Sequence, residues 1–86
     1  MDIGVDISMY PLDAQFIPPI KDFIERLQAS GRCKVVTNSL STQLFGTYDE
    51  VFALLREQLR ISFEQQQESA GKAVFVMKFV GPMSPA

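Results

Sequence analysis

The sequence predicts an α+β sandwich in which two helices cover one face of a four-stranded antiparallel sheet, in the order β-α-β-β-α-β. Three observations carry this. One segment alternates apolar and polar residues with a period of two. Two segments repeat apolar residues at helical spacing, and three further short runs read as strands between and after them. Two strand–helix units joined by a hairpin give the ferredoxin-like arrangement. We read residues 1–86 as a single domain, with 81–86 an irregular C-terminal tail. A chain of this size removes only about 60–65% of its unfolded surface from water, so association with another copy is a natural source of further burial.

Asp2 to Tyr10 is the first strand. Ile3, Val5, Ile7 and Met9 point to one face, and Asp2, Gly4, Asp6, Ser8 and Tyr10 to the other. Pro11 and Asp13 end it. Pro18 and Pro19 then open a helix, where their missing N–H groups cost nothing. Ile20, Phe23, Ile24 and Leu27 form its apolar stripe, Lys21, Asp22, Glu25 and Arg26 its wet side, and Gly31 its stop.

Lys34 to Val36 leads into two short strands joined near Ser39 to Ser41, the second closing with Leu44, Phe45 and Gly46. Thr47 to Glu50 has the spacing of a capping box. Val51, Phe52, Leu55, Leu59 and Phe63 carry the stripe of the second helix, and Glu64 to Glu68 reads as its solvated last turns, with Gly71 just beyond. Ala73 to Val80 is the last strand. It is apolar on both faces, with Lys78 the exception, as expected of a covered strand and not of an exposed edge. The expectation is that Phe75, Met77 and Phe79 form an outer row buried in a dimer.

Composition excludes several functions. Eight Lys/Arg against ten Asp/Glu leave a net charge of −2, with no basic patch for nucleic acid. No run approaches the roughly 18 apolar residues of a membrane span, and the start lacks the basic region of a signal peptide, so a cytoplasmic setting is expected. Cys33 is the single cysteine and there is no histidine. This removes intramolecular disulfides, CxxC chemistry, the Ser-His and Cys-His nucleophile pairs and most zinc sites. We expect no catalytic residue and no metal. An acylphosphatase-like enzyme needs a glycine-rich, arginine-bearing loop after the first strand, and PLDAQFIPP has neither.

The informative stretch is TNSLSTQLFG, residues 37–46. Six of its first seven residues are polar and none is charged. One account is an edge hairpin whose hydroxyls pair across strands and whose amide makes the turn. The other is a small polar cup for an uncharged heterocycle, since hydroxyls and amides match a ring edge without desolvating a charge. Ser8 and Tyr10 read either as a solvated face or as part of that cup. Asp6 reads as solvated, Cys33 as a structural thiol, and Met77 and Phe79 as interface packing.

ISMYPL at the end of strand one, TNSLSTQLFG across the hairpin and DEVF opening the second helix together resemble the YkoF-like family of thiamine- and hydroxymethylpyrimidine-binding proteins. Their order and spacing agree across nearly the whole chain. The resemblance implies a ferredoxin-like fold and non-catalytic binding of thiamine or its hydroxymethylpyrimidine half in uptake or salvage. It also implies a homodimer or homotetramer through the sheet face, with no cofactor beyond the bound ligand. It places the ligand-binding residues at Ser8 and Tyr10 of the first segment and at Thr37, Asn38, Ser41 and Thr42 of the hairpin. Asn38 stands where members often have Asp, which removes a charge. The alternative is a ligand-free assembly module of the same fold.

Overall fold

The computed structural model describes residues 1–84. Its elements are β1 (Asp2–Pro11), α1 (Ile17–Ser30), β2 (Lys34–Thr37), β3 (Thr42–Thr47), α2 (Tyr48–Glu68) and β4 (Ala73–Met83). This is the β-α-β-β-α-β order of the ferredoxin-like sandwich. The strands form one sheet in the order β2-β3-β1-β4, and every neighbouring pair is antiparallel.

The period of two in β1 sets the two faces of this sheet. Ile3, Val5 and Ile7 are buried beneath the helices, and the register sets Val5 beside Leu44 and Phe79. Phe23 and Leu27 from α1 and Val51, Leu54 and Leu55 from α2 complete the core. Burying a side chain of this size contributes about 1.5–3 kcal/mol, so these nine positions supply most of the cohesion. Pro18 and Pro19 lie in the first turn of α1, and Gly31 ends it at φ 65°, the left-handed region that glycine enters without strain.

Several expectations change. Only half the capping box forms: Thr47 Oγ1 accepts from the Glu50 N–H at 3.2 Å, while the Glu50 carboxylate turns to Arg32 at 3.4 Å. Arg26 and Asp22 do not form a wet side, because both lie against α2. Arg26 donates to Asp22 Oδ2 at 2.9 Å, Gln58 Oε1 at 2.8 Å and Ser62 Oγ at 2.7 Å. Ser62 is buried on α2, and Phe52 and Phe63 lie at its flank, where they pack on Phe79 and Phe75. Gln66, expected in solvated turns, is also buried, and its Oε1 has no partner among the described residues.

The largest change concerns β4. It is an edge strand, and it runs on through Gly81, Pro82 and Met83, where an irregular tail was expected; Met83 pairs with Asp2. Residues 85–86 of that expected tail lie outside the described residues. Phe75, Met77 and Phe79 point toward the helices, since they sit beside Met9, Ile7 and Val5. The outer row is therefore Val74, Val76, Lys78 and Val80.

Candidate functional site: a neutral cleft at the hairpin

The β2–β3 turn is built by the polar residues of residues 37–42. Asn38 Oδ1 accepts from the backbone N–H of Leu40 at 2.8 Å and of Ser41 at 3.1 Å, which closes the turn through a side chain. Ser41 Oγ donates to Asp6 Oδ1 at 2.6 Å and ties the turn to β1. The hydroxyls of Thr37 and Thr42 meet across the strands at 2.9 Å, with Thr42 buried. Hydroxyls and amides stand here partly because they satisfy one another where the sheet ends.

Between this turn, the end of β1 and the first half of α1 lies a cleft of about 160 Å³. Ile20, Phe23 and Ile24 line it from α1, Ile7 and Met9 from β1, and Asn38, Ser39, Leu40, Ser41 and Thr42 from the hairpin. None of its lining residues is charged. Apolar side chains from a helix and a strand can hold a flat ring, while the hairpin offers hydroxyls and an amide to its edge.

The six residues singled out in the sequence do not form one wall. Thr37 and Thr42 share the helix-covered side of the sheet; Thr37 lies outside the cleft, in a neighbouring hollow with Ile20 and Ile24. Asn38 and Ser41 are in the turn. Ser8 and Tyr10 belong to the outer face, beside Val76 and Val74, and contribute to the cleft lining from β1. Reading the hairpin alone missed Met9, Ile20, Phe23 and Ile24. The spacing of the last three was visible in the α1 stripe, but it could not show that the helix overhangs the turn.

The single cysteine is not set up as a nucleophile. Burial pushes the Cys33 thiol above its ordinary value, Glu50 adds to the shift, and Arg32 opposes it. The thiol therefore stays protonated at neutral pH. Among the described residues no cluster of three His, Cys, Asp or Glu could hold a metal, and no helix is long and apolar enough to cross a membrane.

The outer sheet face is a second candidate surface. Val74, Val76 and Val80 are about half exposed along β4, and the Phe45 ring lies close over Gly4. Gly4, Phe45 and Val80 border a depression of about 230 Å³ with Asp6, Gln43 and Lys78.

Fold and motif can be compared with known proteins. A model of the YKOF-related family matches residues 2–78. The chain belongs to the YKOF-related family. Among solved structures, this YKOF-related chain superposes on a Thermotoga maritima protein described as a candidate for thiamine biosynthesis or salvage. The TM-score is 0.79 at 18% identity, covering 95% of this chain and 85% of the other. A Streptococcus pneumoniae protein gives 0.80 at 24% identity, covering 96% and 89%. A domain of unknown function from Bacillus cereus gives 0.73 at 16%, covering 95% and 77%. At these identities the likeness establishes the fold. The comparison with curated proteins gives no match.

Proposed function

We propose that this YKOF-related protein binds thiamine or its hydroxymethylpyrimidine half, without catalysis, in the cleft between α1 and the β2–β3 turn. The observation that carries the reading is the uncharged cleft of about 160 Å³ with a polar rim. An apolar cavity of roughly 150 Å³ accepts a benzene-sized ring, which matches one pyrimidine. Membership of the YKOF-related family and the likeness to a candidate thiamine biosynthesis or salvage protein support the same ligand class. Uptake or salvage in the cytoplasm is the role this implies.

In this proposal the protein works as a homodimer or homotetramer joined through the outer sheet face. Val74, Val76 and Val80 form a largely apolar outer row interrupted by Lys78, and a second copy is the partner that its small size calls for.

Thermal denaturation with added thiamine and hydroxymethylpyrimidine tests the binding. A ligand at 100 times its Kd adds about 2.7 kcal/mol, which for a domain of this size raises Tm by roughly 10 °C or more. No shift with either compound at millimolar concentration, with the protein folded, would leave only an assembly role.

A further inference from the structure

We infer that the free side of β4 and the adjoining flank of α2 form a docking groove for an acidic strand of another protein. The guest adds to the sheet as a fifth strand and sets two carboxylates against Arg56 and Arg60. This groove lies at the opposite edge of the sheet from the β2–β3 turn, and what the cleft binds has no bearing on it.

The backbone supplies the first half of the groove. β4 pairs with β1 on one side only, so along its other side its donors and acceptors face no strand. The edge is barely protected. It is eleven residues long, Lys78 is its only charged residue, and its proline, Pro82, lies beyond the stretch 73–80.

The flank of α2 supplies the other half. Phe52 stacks on Phe79 with ring centroids 5.2 Å apart, and Phe63 meets Phe75 edge-on at 5.5 Å. These contacts leave Phe52 and Phe63 nearly half exposed. Between the two rings Arg56, Leu59 and Arg60 follow along the helix, and a hollow lined by these three and Phe63 opens there. A strand laid in this groove gains backbone hydrogen bonds from β4 and seats alternate side chains against the helix.

Charge selects the guest. The chain carries a net charge of −2, and its other arginines, Arg26 and Arg32, are each held by carboxylates. Arg56 and Arg60 have no carboxylate within ion-pair distance among the described residues, although Glu64 lines the same hollow. A second copy fits poorly. Arg56 lies between Phe52 on Phe79 and Phe63 on Phe75, beside the middle of β4, so an antiparallel copy paired there would set arginine against arginine. An acidic strand neutralises both. Four residues of helix rise about 6 Å, close to the roughly 6.6 Å between alternate residues of a strand. Two glutamates one residue apart therefore match Arg56 and Arg60, with an apolar residue two positions outside each to meet Phe52 and Phe63.

The test is fluorescence anisotropy of the whole protein with labelled synthetic peptides in which valine, glutamate, glutamate and valine alternate with threonine. This peptide should bind saturably. Glutamine in place of both glutamates should weaken binding about fivefold or more, as should raising sodium chloride from about 50 to 500 mM. The double variant Arg56→Gln, Arg60→Gln should weaken it by a similar factor with Tm unchanged. N-methylation of alternate peptide residues should abolish binding in one phase and spare it in the other, because only every second N–H of an added strand points at β4. The inference is overturned by no saturable binding at millimolar peptide, by equal binding of the glutamine peptide, or by indifference to both N-methyl phases. Peptide binding that halves the protein's mass in sedimentation makes a second copy the natural occupant and overturns it too.

Discussion

The sheet has two edges, and the chain treats them in opposite ways. The β2 edge is short, only four residues, and ends in a turn whose polar groups are consumed by one another. The β4 edge is eleven residues long, carries valines on its outer face, and leaves them about half exposed. A short polar edge is complete in itself, and its unused groups are free to meet a small neutral ligand. A long apolar edge is the signature of a surface made to be covered. In the proposed function, binding and assembly thus use different edges of one small sheet.

The comparison can be broken at β4 first, where the largest effect is expected. Val76→Asp puts an unpaired charge in the proposed sheet-face contact, at a cost of about 3 kcal/mol or more, a roughly hundredfold loss of association. Sedimentation should show a fall to monomer mass at high micromolar concentration while circular dichroism stays unchanged. A monomeric wild-type protein at that concentration would remove the β4 half of the comparison.

One residue earlier the outcome should reverse. Phe75 packs on Phe23 at 5.1 Å and on Phe63 at 5.5 Å, on the helix side. Phe75→Ala should therefore cost about 2–4 kcal/mol of folding stability in urea denaturation. Adjacent residues of one strand would then separate folding from assembly.

At the other edge the effects are smaller. Thr42→Val removes the hydrogen bond of a buried hydroxyl to the exposed Thr37, which can turn to water, and should cost only about 0.5–1.5 kcal/mol in urea denaturation. Asn38→Ala loosens the turn by roughly 1 kcal/mol and should weaken pyrimidine binding about threefold to tenfold in titration. Full affinity in Asn38→Ala, with the fold intact, would make the hairpin purely structural.

The smallest effect is a pH dependence. The Cys33 pKa is raised in the folded chain, so the folded state holds its proton more tightly than the unfolded one. Its contribution is unaffected below the ordinary thiol range, and stability falls as pH rises above that range toward the folded pKa. Cys33→Ala should flatten that alkaline limb in urea denaturation, and the wild-type thiol should alkylate more slowly than free cysteine.

How much of this was legible in the sequence depends on the range of the interaction. The alternation of Ile3, Val5 and Ile7 gave the buried side of β1 directly, because a strand's period leaves two faces and only one is apolar. For β4 that argument had no purchase. Both faces are apolar, so only pairing with Val5, Ile7 and Met9 decides that Phe75, Met77 and Phe79 go inward. On α2 the rings of Phe52 and Phe63 looked like core, yet the inward face carries Ser62, bonded to Arg26, and both rings lie at the flank.

Local chemistry by itself determined the element order, the proline start and glycine stop of α1, and the threonine cap of α2. It also marked the hairpin as neutral and polar. These depend on backbone sterics and on hydrogen bonds spanning a few residues. Only the tertiary structure decided that β4 is an edge, that Asn38 and Ser41 spend polar atoms on the turn, and that Ile20, Phe23 and Ile24 overhang it to form a cleft. Each of those requires residues far apart in the chain to meet, and the packing of helix on sheet, not residue type, determines which of them do.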